Sequence, residues 1–201
     1  RKGKKMHNVT VAFAALLVML LSYFFGCFNG SFMVSHFIIR DDVRKHGSGN
    51  AGLTNFYRTY GAKYALLVIA CDMGKTVAAC LLGSFFFRCL GWDGTLGTLL
   101  AGLGCELGHI FPVFYGFRGG KGILSGGTLV LLLNWRVAAV AWALFLLLWL
   151  TTRYVSLASI TATCSAPITV YFVYGHNWLY TGLCLAVAAL VVWCHRENIQ
   201  R

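Results

Sequence analysis

Charge is scarce in this chain, and acidic charge scarcest. Only 11% of its 201 residues are Asp, Glu, Lys or Arg, and just six are acidic. A soluble domain carries about 25%. The deficit excludes an ordinary water-soluble globule, as does a mean hydropathy of +0.70. Proline is almost missing, with Pro112 and Pro167 alone, which excludes a proline-rich stalk or linker. Internal repeats, inverted symmetry and low-complexity tracts are absent, so the usual signature of a secondary transporter is lacking. The cysteines at 27, 71, 80, 89, 105, 164, 184 and 194 stand singly, with no Cys-x-x-Cys. That spacing argues against a zinc ribbon or a dithiol centre. Most lie in apolar runs, where cysteine packs as a small hydrophobe. A Walker motif is also absent, because no Gly-x-x-x-x-Gly-Lys-Ser/Thr occurs.

What remains is a membrane sequence. Apolar runs of bilayer length recur from end to end. The first extends from Val9 to Phe28 and towards Ile39; the next cover 64–87, 94–107, 154–174 and 176–194. Residues 123–152 are apolar except at Asn134-Trp135-Arg136. One helix through that break would bury Arg136 near the bilayer centre, which is costly. A turn there puts Trp135 and Arg136 at an interface, which both favour. The expected helices are therefore 123–133 and 137–151. The total is seven transmembrane helices in one all-α, polytopic domain, residues 9–201, preceded by a basic tail, 1–8. The pattern Gly104-x-x-x-Gly108 reads as close helix packing.

With seven spans, loops 29–61, 108–122 and 151–156 and the tail 195–201 share one side. That side holds ten Lys/Arg: 40, 44, 45, 58, 63, 118, 121, 153, 196 and 201. Opposite them stand Arg88 and Arg136. The positive-inside rule makes the loaded side cytoplasmic. The cluster in residues 1–5 runs against that rule. The net charge of +11 thus belongs to span ends and points to anionic lipid or substrate, not to nucleic acid.

Four polar segments interrupt the apolar chain. The first, residues 46–55, reads His-Gly-Ser-Gly-Asn-Ala-Gly-Leu-Thr-Asn, flanked by Arg44, Lys45 and Arg58. Glycines let successive N–H groups turn inward and form an anion-binding nest. Gly47, Gly49, Ser48, Asn50, Thr54 and Asn55 are the candidates there. The second holds Gly119-Gly120-Lys121-Gly122 and opens a helix. Free N–H groups and the helix dipole suit phosphate at such a point. The third carries Arg153, Ser156 and Ser159, and the tail carries His195 and Asn198; in each, a three-residue spacing shares a helical face. Asp72 and Lys75 are intramembrane charges at i,i+3, and both a structural pair and a functional site fit them. His36-x-x-x-x-Asp41 matches an acyltransferase box, but five helical residues set the two about 140° apart. It is read as chance.

Taken in order, His-Gly-Ser-Gly-Asn-x-Gly-x-Thr-Asn-x-x-Arg, Gly-His-x-Phe-Pro-Val with Gly-Gly-Lys-Gly, Arg-x-x-Ser-x-x-Ser, and His-x-x-Asn-Ile-x-Arg resemble the bacterial membrane acyl-phosphate:glycerol-3-phosphate acyltransferase family. The likeness spans about residues 22–201. It implies transfer of an acyl group from acyl phosphate to the 1-hydroxyl of glycerol 3-phosphate, giving lysophosphatidic acid. It further implies seven spans in the bacterial cytoplasmic membrane, with the site facing the cytoplasm and no metal or nucleotide cofactor. The partners it implies are the two substrates and membrane lipid, with no obligate protein partner. The family's catalytic positions fall on Ser48, Arg58, Lys121, Ser159, His195 and Asn198. Gly47, Gly49, Asn50, Thr54, Asn55, Gly119, Gly120, Gly122, Arg153 and Ser156 are expected to bind phosphate or substrate. Ala51 stands where the family often has proline, and Ile123-Leu124-Ser125 replaces a commoner Val-Ala-Thr.

An acyl phosphate is already activated, so direct transfer without an acyl-enzyme is expected. The acceptor proton goes to a phosphate oxygen or to His195. The reading favours the phosphate, with His195 as a binder. The rival classes are a transporter of a phosphorylated metabolite and a lipid phosphatase.

Overall fold

A computed structural model describes residues 2–200, with side chains from Val9 onward. The described residues are helical, with no strand. The long helices are α1 (Lys2–Cys27), α4 (Ala65–Cys89), α5 (Gly94–Ile110), α6 (Ile123–Leu133), α7 (Trp135–Thr152), α8 (Val155–Val173) and α9 (Trp178–Cys194). The short ones are α2 (Gly30–Met33), α3 (Leu53–Tyr60) and α10 (Arg196–Gln200).

Local sequence sets the boundaries. Asn29 caps α2, accepting from Phe32 N at 2.9 Å. A π-helical turn, Val34–Ile39, follows and stops at Arg40, whose φ is 62°. Asp93 caps α5 through Thr95 N at 2.8 Å. Asn134 ends α6 and caps α7 through Arg136 N at 2.9 Å, so the expected break falls there, with α7 starting at Trp135 rather than 137. Asn177 caps α9 through Leu179 N at 3.1 Å. These are side-chain oxygens satisfying N–H groups that a helix start leaves open.

Five stretches are long and apolar enough to cross a membrane: Val9–Ile39, Ala65–Cys89, Gly94–Tyr115, Trp135–Thr152 and Val155–Val173. Helices α6 and α9 are apolar but shorter. At 1.5 Å per residue α6 extends about 16 Å, about half of a bilayer core. Exposed Phe13, Leu16, Leu66, Phe85, Leu147 and Phe172 cover the outer surface, as required where the solvent is lipid. The backbone of α1 begins at Lys2, and the side chains of the basic tail expected at 1–8 lie outside the described residues. The tail beyond His195 is the short α10.

Small residues bring the central helices together. A Cβ on Gly26 would strike Cys105 O, one on Gly104 Met19 O, and one on Gly108 Tyr23 O. Thus α1 and α5 meet backbone to backbone, in the manner expected for Gly104-x-x-x-Gly108. Ala14, Val18, Phe87, Leu100 and Ala101 fill the seam of α1, α4 and α5. A second cluster, including Leu99, Val137, Ala166, Val170 and Tyr180, joins α5 to α7, α8 and α9. A third, with Phe32, Val43, Ala51, Phe56 and Val68, sits beneath the first glycine loop.

Candidate active site

The first loop is shaped by one amide. Asn55 Oδ1 accepts from Ser48 N at 2.9 Å. Its Nδ2 donates to Val43 O at 3.1 Å, His46 O at 3.0 Å and Asn50 O at 3.0 Å. Expected among the ligands, Asn55 spends its polar atoms on the loop itself and is 5% exposed. Gly47 and Gly49 take φ of +56° and +70°, values L side chains rarely adopt. The turn leaves Ser48 exposed, with Thr54 and Arg58 exposed on α3.

Hydrogen bonds fix this loop to the second. Gly119 O accepts from Ala51 N at 3.3 Å and Asn50 Nδ2 at 3.4 Å. Arg44 donates to Tyr115 O at 2.7 Å while paired with Asp42 at 2.8 Å. Gly119 N and Gly120 N donate back to Ile110 O and His109 O at 3.1 and 3.0 Å. A Cβ at Gly119 would hit His109 O, so only glycine fits that approach. Gly122, at φ +82°, precedes α6 with no side-chain cap. The helix start is therefore open to an anion.

The remaining segments close the ring. Lys121 Nζ donates to Asn198 Oδ1 at 3.0 Å, and Asn198 Nδ2 donates to Ser156 Oγ at 2.5 Å. Second loop, third loop and tail are thereby joined. Arg153 is exposed between α7 and α8 at φ 61°. Ser159 Oγ is buried without a partner among the described residues. His195 Nδ1 lies 2.8 Å from Val191 O. A carbonyl only accepts, so Nδ1 carries the proton and Nε2 of the neutral ring keeps a lone pair. Burial, and then the Lys121 charge, hold His195 below the ordinary histidine range against the opposing bond to Val191.

One cavity of about 490 Å³ collects these groups. Ser48, Asn50, Thr54, Asn55, Arg58, Lys121, Gly122, Arg153, Ser156, Ser159, His195 and Asn198 all line it. Gly47, Gly49, Gly119 and Gly120 do not; they shape the loops around it. The cavity has a second, apolar arm between α6, α7, α8 and α9, lined by Leu129, Leu133, Ala141, Trp142, Ala166 and Cys184 among others. Sequence reasoning missed that arm, because no periodicity marks which apolar faces enclose space. His109, named only within the second loop's motif, and Asp72, left between a structural pair and a functional site, also line the cavity. Their signal was present: Asp72 is an intramembrane charge, and His109 opens the second glycine loop. His36 stacks on Phe32 at 5.3 Å, while Asp41 binds His46 and Tyr60 at 2.8 and 3.0 Å. The two do not form an acid-base box.

A family model described as glycerol-3-phosphate acyltransferase matches residues 16–201. The chain belongs to that family. Curated glycerol-3-phosphate acyltransferases resemble it along nearly their whole length. That of Syntrophomonas wolfei is 39% identical over 188 residues, covering 94% of this chain and 92% of the relative. That of Finegoldia magna is 36% identical over 187 residues, covering 92% and 91%. Among solved structures, the crystal structure of PlsY, an integral membrane glycerol 3-phosphate acyltransferase, in its glycerol 3-phosphate form superimposes with a TM-score of 0.81. It has 36% identity and covers 93% of this chain and 90% of that one. The lysophosphatidic acid form gives 0.79 at 35% identity, with the same coverage. Membership agrees with the apolar helices in making this acyltransferase relative a multi-pass membrane protein.

Proposed function

We propose that this chain transfers an acyl group from an acyl phosphate to the 1-hydroxyl of sn-glycerol 3-phosphate, directly and without an acyl-enzyme. The observation that carries the reading is the two-part cavity. Its mouth gathers Arg58, Lys121 and Arg153 beside an open helix start, and its other arm is apolar. That combination suits two phosphorylated molecules, one with a long hydrocarbon tail. In the step, the acceptor oxygen attacks the acyl carbonyl carbon, the carbon–oxygen bond to phosphate breaks, and phosphate leaves with the electron pair. The acceptor proton passes to a phosphate oxygen, whose second pKa is about 6. Lysophosphatidic acid and inorganic phosphate are the products.

The chain's own residues position and stabilise. Holding both reactants aligned is worth up to about 7–11 kcal/mol in the best intramolecular cases. Lys121 and Arg58 are the donors proposed for the charge that grows on the leaving phosphate, a contribution of about 3–4 kcal/mol for one well-placed donor. His195, with a lone pair on Nε2, is suited to accept a hydrogen bond from an acceptor hydroxyl, which makes it a binder of glycerol 3-phosphate.

The same reading takes all seven long helices as spans in a bacterial cytoplasmic membrane, with the cavity mouth facing the cytoplasm. Loops one, two and three and the tail meet at one cavity, which supports an even number of crossings between each. The basic loops support the cytoplasmic assignment. In a cysteine-free background, a single cysteine at Asn134 should label from outside intact cells, and one at Asn50 or Asn198 should not. Labelling of Asn50 and Asn198 from opposite sides ends the seven-span reading.

The activity test is an assay of purified protein with palmitoyl phosphate and glycerol 3-phosphate. Lysophosphatidic acid and phosphate should form in equal amounts, and palmitoyl phosphate alone should give no burst. An acylated Ser48 or Ser159 found by mass spectrometry would refute direct transfer.

A further inference from the structure

Three basic side chains flank the first glycine loop. Arg58 lines the cavity; Arg44 and Lys45 do not. Lys45 is exposed. Arg44 is committed elsewhere. Its Nε donates to Asp42 Oδ1 at 3.0 Å and its Nη2 to Asp42 Oδ2 at 2.8 Å. Its Nη1 donates to Tyr115 O at 2.7 Å. Its Cζ stands 4.5 Å from the centre of the Phe32 ring, and that ring packs on Tyr115 with centroids 4.0 Å apart. The hydrogen bonds from Arg44 hold the Asp42 carboxyl below its ordinary range. A cation bound in this way does not serve a phosphate in the cavity.

What Arg44 does serve is the join between the two glycine loops. At Gly119 that join is made of long bonds: its carbonyl accepts from Ala51 N at 3.3 Å and from Asn50 Nδ2 at 3.4 Å. At Tyr115 the bond is short and charge-assisted, a type about twice as strong as its neutral counterpart. Arg44 also lies in the turn that Asn55 closes through Val43 O, His46 O and Asn50 O. The same amide accepts from Ser48 N. A continuous bonded path thus leads from Tyr115 in the second loop, through Arg44, to the backbone that presents Ser48 in the first.

We propose that Arg44 is a positioning residue, a clasp that sets the spacing between Arg58 on α3 and Lys121 in the second loop, with Asp42 and Phe32 holding the clasp in place. This role rests on the reading above, in which those two cations face the charge that grows on the leaving phosphate. A misplacement of about 1 Å by a change remote from the chemistry can cost about a hundredfold in rate. The fork of the guanidinium is essential to the clasp. An ammonium has the same charge but is a point donor on a flexible stem, and does not bridge two carboxylate oxygens and a carbonyl in one fixed plane.

The test uses the whole protein in detergent. Arg44→Lys keeps the charge and loses the fork, so kcat should fall about ten- to a hundredfold. The calorimetric Kd for glycerol 3-phosphate should stay near the wild-type value, with unchanged stoichiometry. Asp42→Asn should cost a similar factor, and the two losses should not add when combined, because both break one clasp. Lys45→Met, one position along, should leave activity unchanged. In a cysteine-free background, nitroxides at Tyr57 on α3 and Arg118 in the second loop should give a narrow distance distribution, broadened by Arg44→Lys. Full activity in Arg44→Lys overturns the role. So does an unbroadened distance in a protein that turns over, or a raised Kd at constant kcat, which would make Arg44 a binder. A loss of activity matched by an equal loss of binding stoichiometry also overturns it, since Arg44 would then only maintain the fold. If the wild type forms no lysophosphatidic acid, the functional reading itself fails, and the distance measurement, which needs no turnover, still shows whether Arg44 joins the loops.

Discussion

Lys121 and Asn198, 77 positions apart in the chain, share a 3.0 Å hydrogen bond, and Asn198 passes it on to Ser156. The amide thus holds the ammonium over the start of α6 and ties the third loop to the same point. Lys121→Ala removes a charge-assisted contact of about 1.5–3 kcal/mol, so kcat/KM should fall about ten- to a hundredfold. Asn198→Leu keeps the charge but frees it to wander, so its loss should be smaller. Both variants should unfold near the wild-type temperature. Full activity in Lys121→Ala would remove it from the phosphate site.

That relationship shows what a sequence displays and what it hides. The glycine loops, the break at Asn134 and the Gly104–Gly108 seam were legible because turn chemistry and small-residue spacing act locally. The pairing of Lys121 with Asn198 was not, because it depends on where α9 ends relative to α6. The bonds Asn55 makes were hidden for a related reason: an amide in a polar loop serves a ligand or the loop, and only the path of residues 43–50 around it decides. The first apolar stretch, Val9 towards Ile39, was legible too, because hydropathy marks a span directly. The apolar arm lay beyond reach because enclosing space is a property of four helices together.

Glu106 is buried to 1% exposure, and neither carboxyl oxygen has a partner among the described residues. It presses on Gly122 and Gly126, where a Cβ would meet it. A buried polar group without a partner costs about 1–3 kcal/mol. Glu106→Met fills the volume with no polar atom and should raise the melting temperature in detergent by about 2–4 °C per kcal/mol recovered. A lower melting temperature would show that the carboxyl is stabilising where it stands.

The apolar arm takes in Leu133, Ala141, Ala166 and Cys184. Behind it lie Val137 and Val170, both 0% exposed. Along α6 the arm extends about 16 Å from Gly122, and a chain that reaches the end meets a packed wall. Ala166→Phe should shorten it. Each methylene displaced costs about 0.8 kcal/mol, so kcat/KM should drop steeply for palmitoyl phosphate and little for lauroyl phosphate. An equal loss for both would mean the tail lies elsewhere.

His195 poses the question of where the acceptor proton goes. Its Nδ1–H is committed to Val191 O, and its pKa is lowered, chiefly by burial. At neutral pH the ring is uncharged and Nε2 accepts. As pH falls through the lowered pKa, Nε2 gains a proton and can no longer accept from a hydroxyl, so activity should fall on the acid side. Stability follows the same sign: the folded state disfavours the charged ring, so its contribution is whole at neutral pH and is lost below the unfolded value of about 6.5. The substrate phosphate titrates nearby, so the wild-type profile alone does not separate the roles, but a variant does. If His195 binds the acceptor, His195→Gln keeps a hydrogen bond and should mainly raise KM for glycerol 3-phosphate. If His195 is the general base, kcat should fall by about 10²–10⁴ with KM little changed. We expect the first result. A large loss in kcat at constant KM would move the proton from the leaving phosphate to the imidazole.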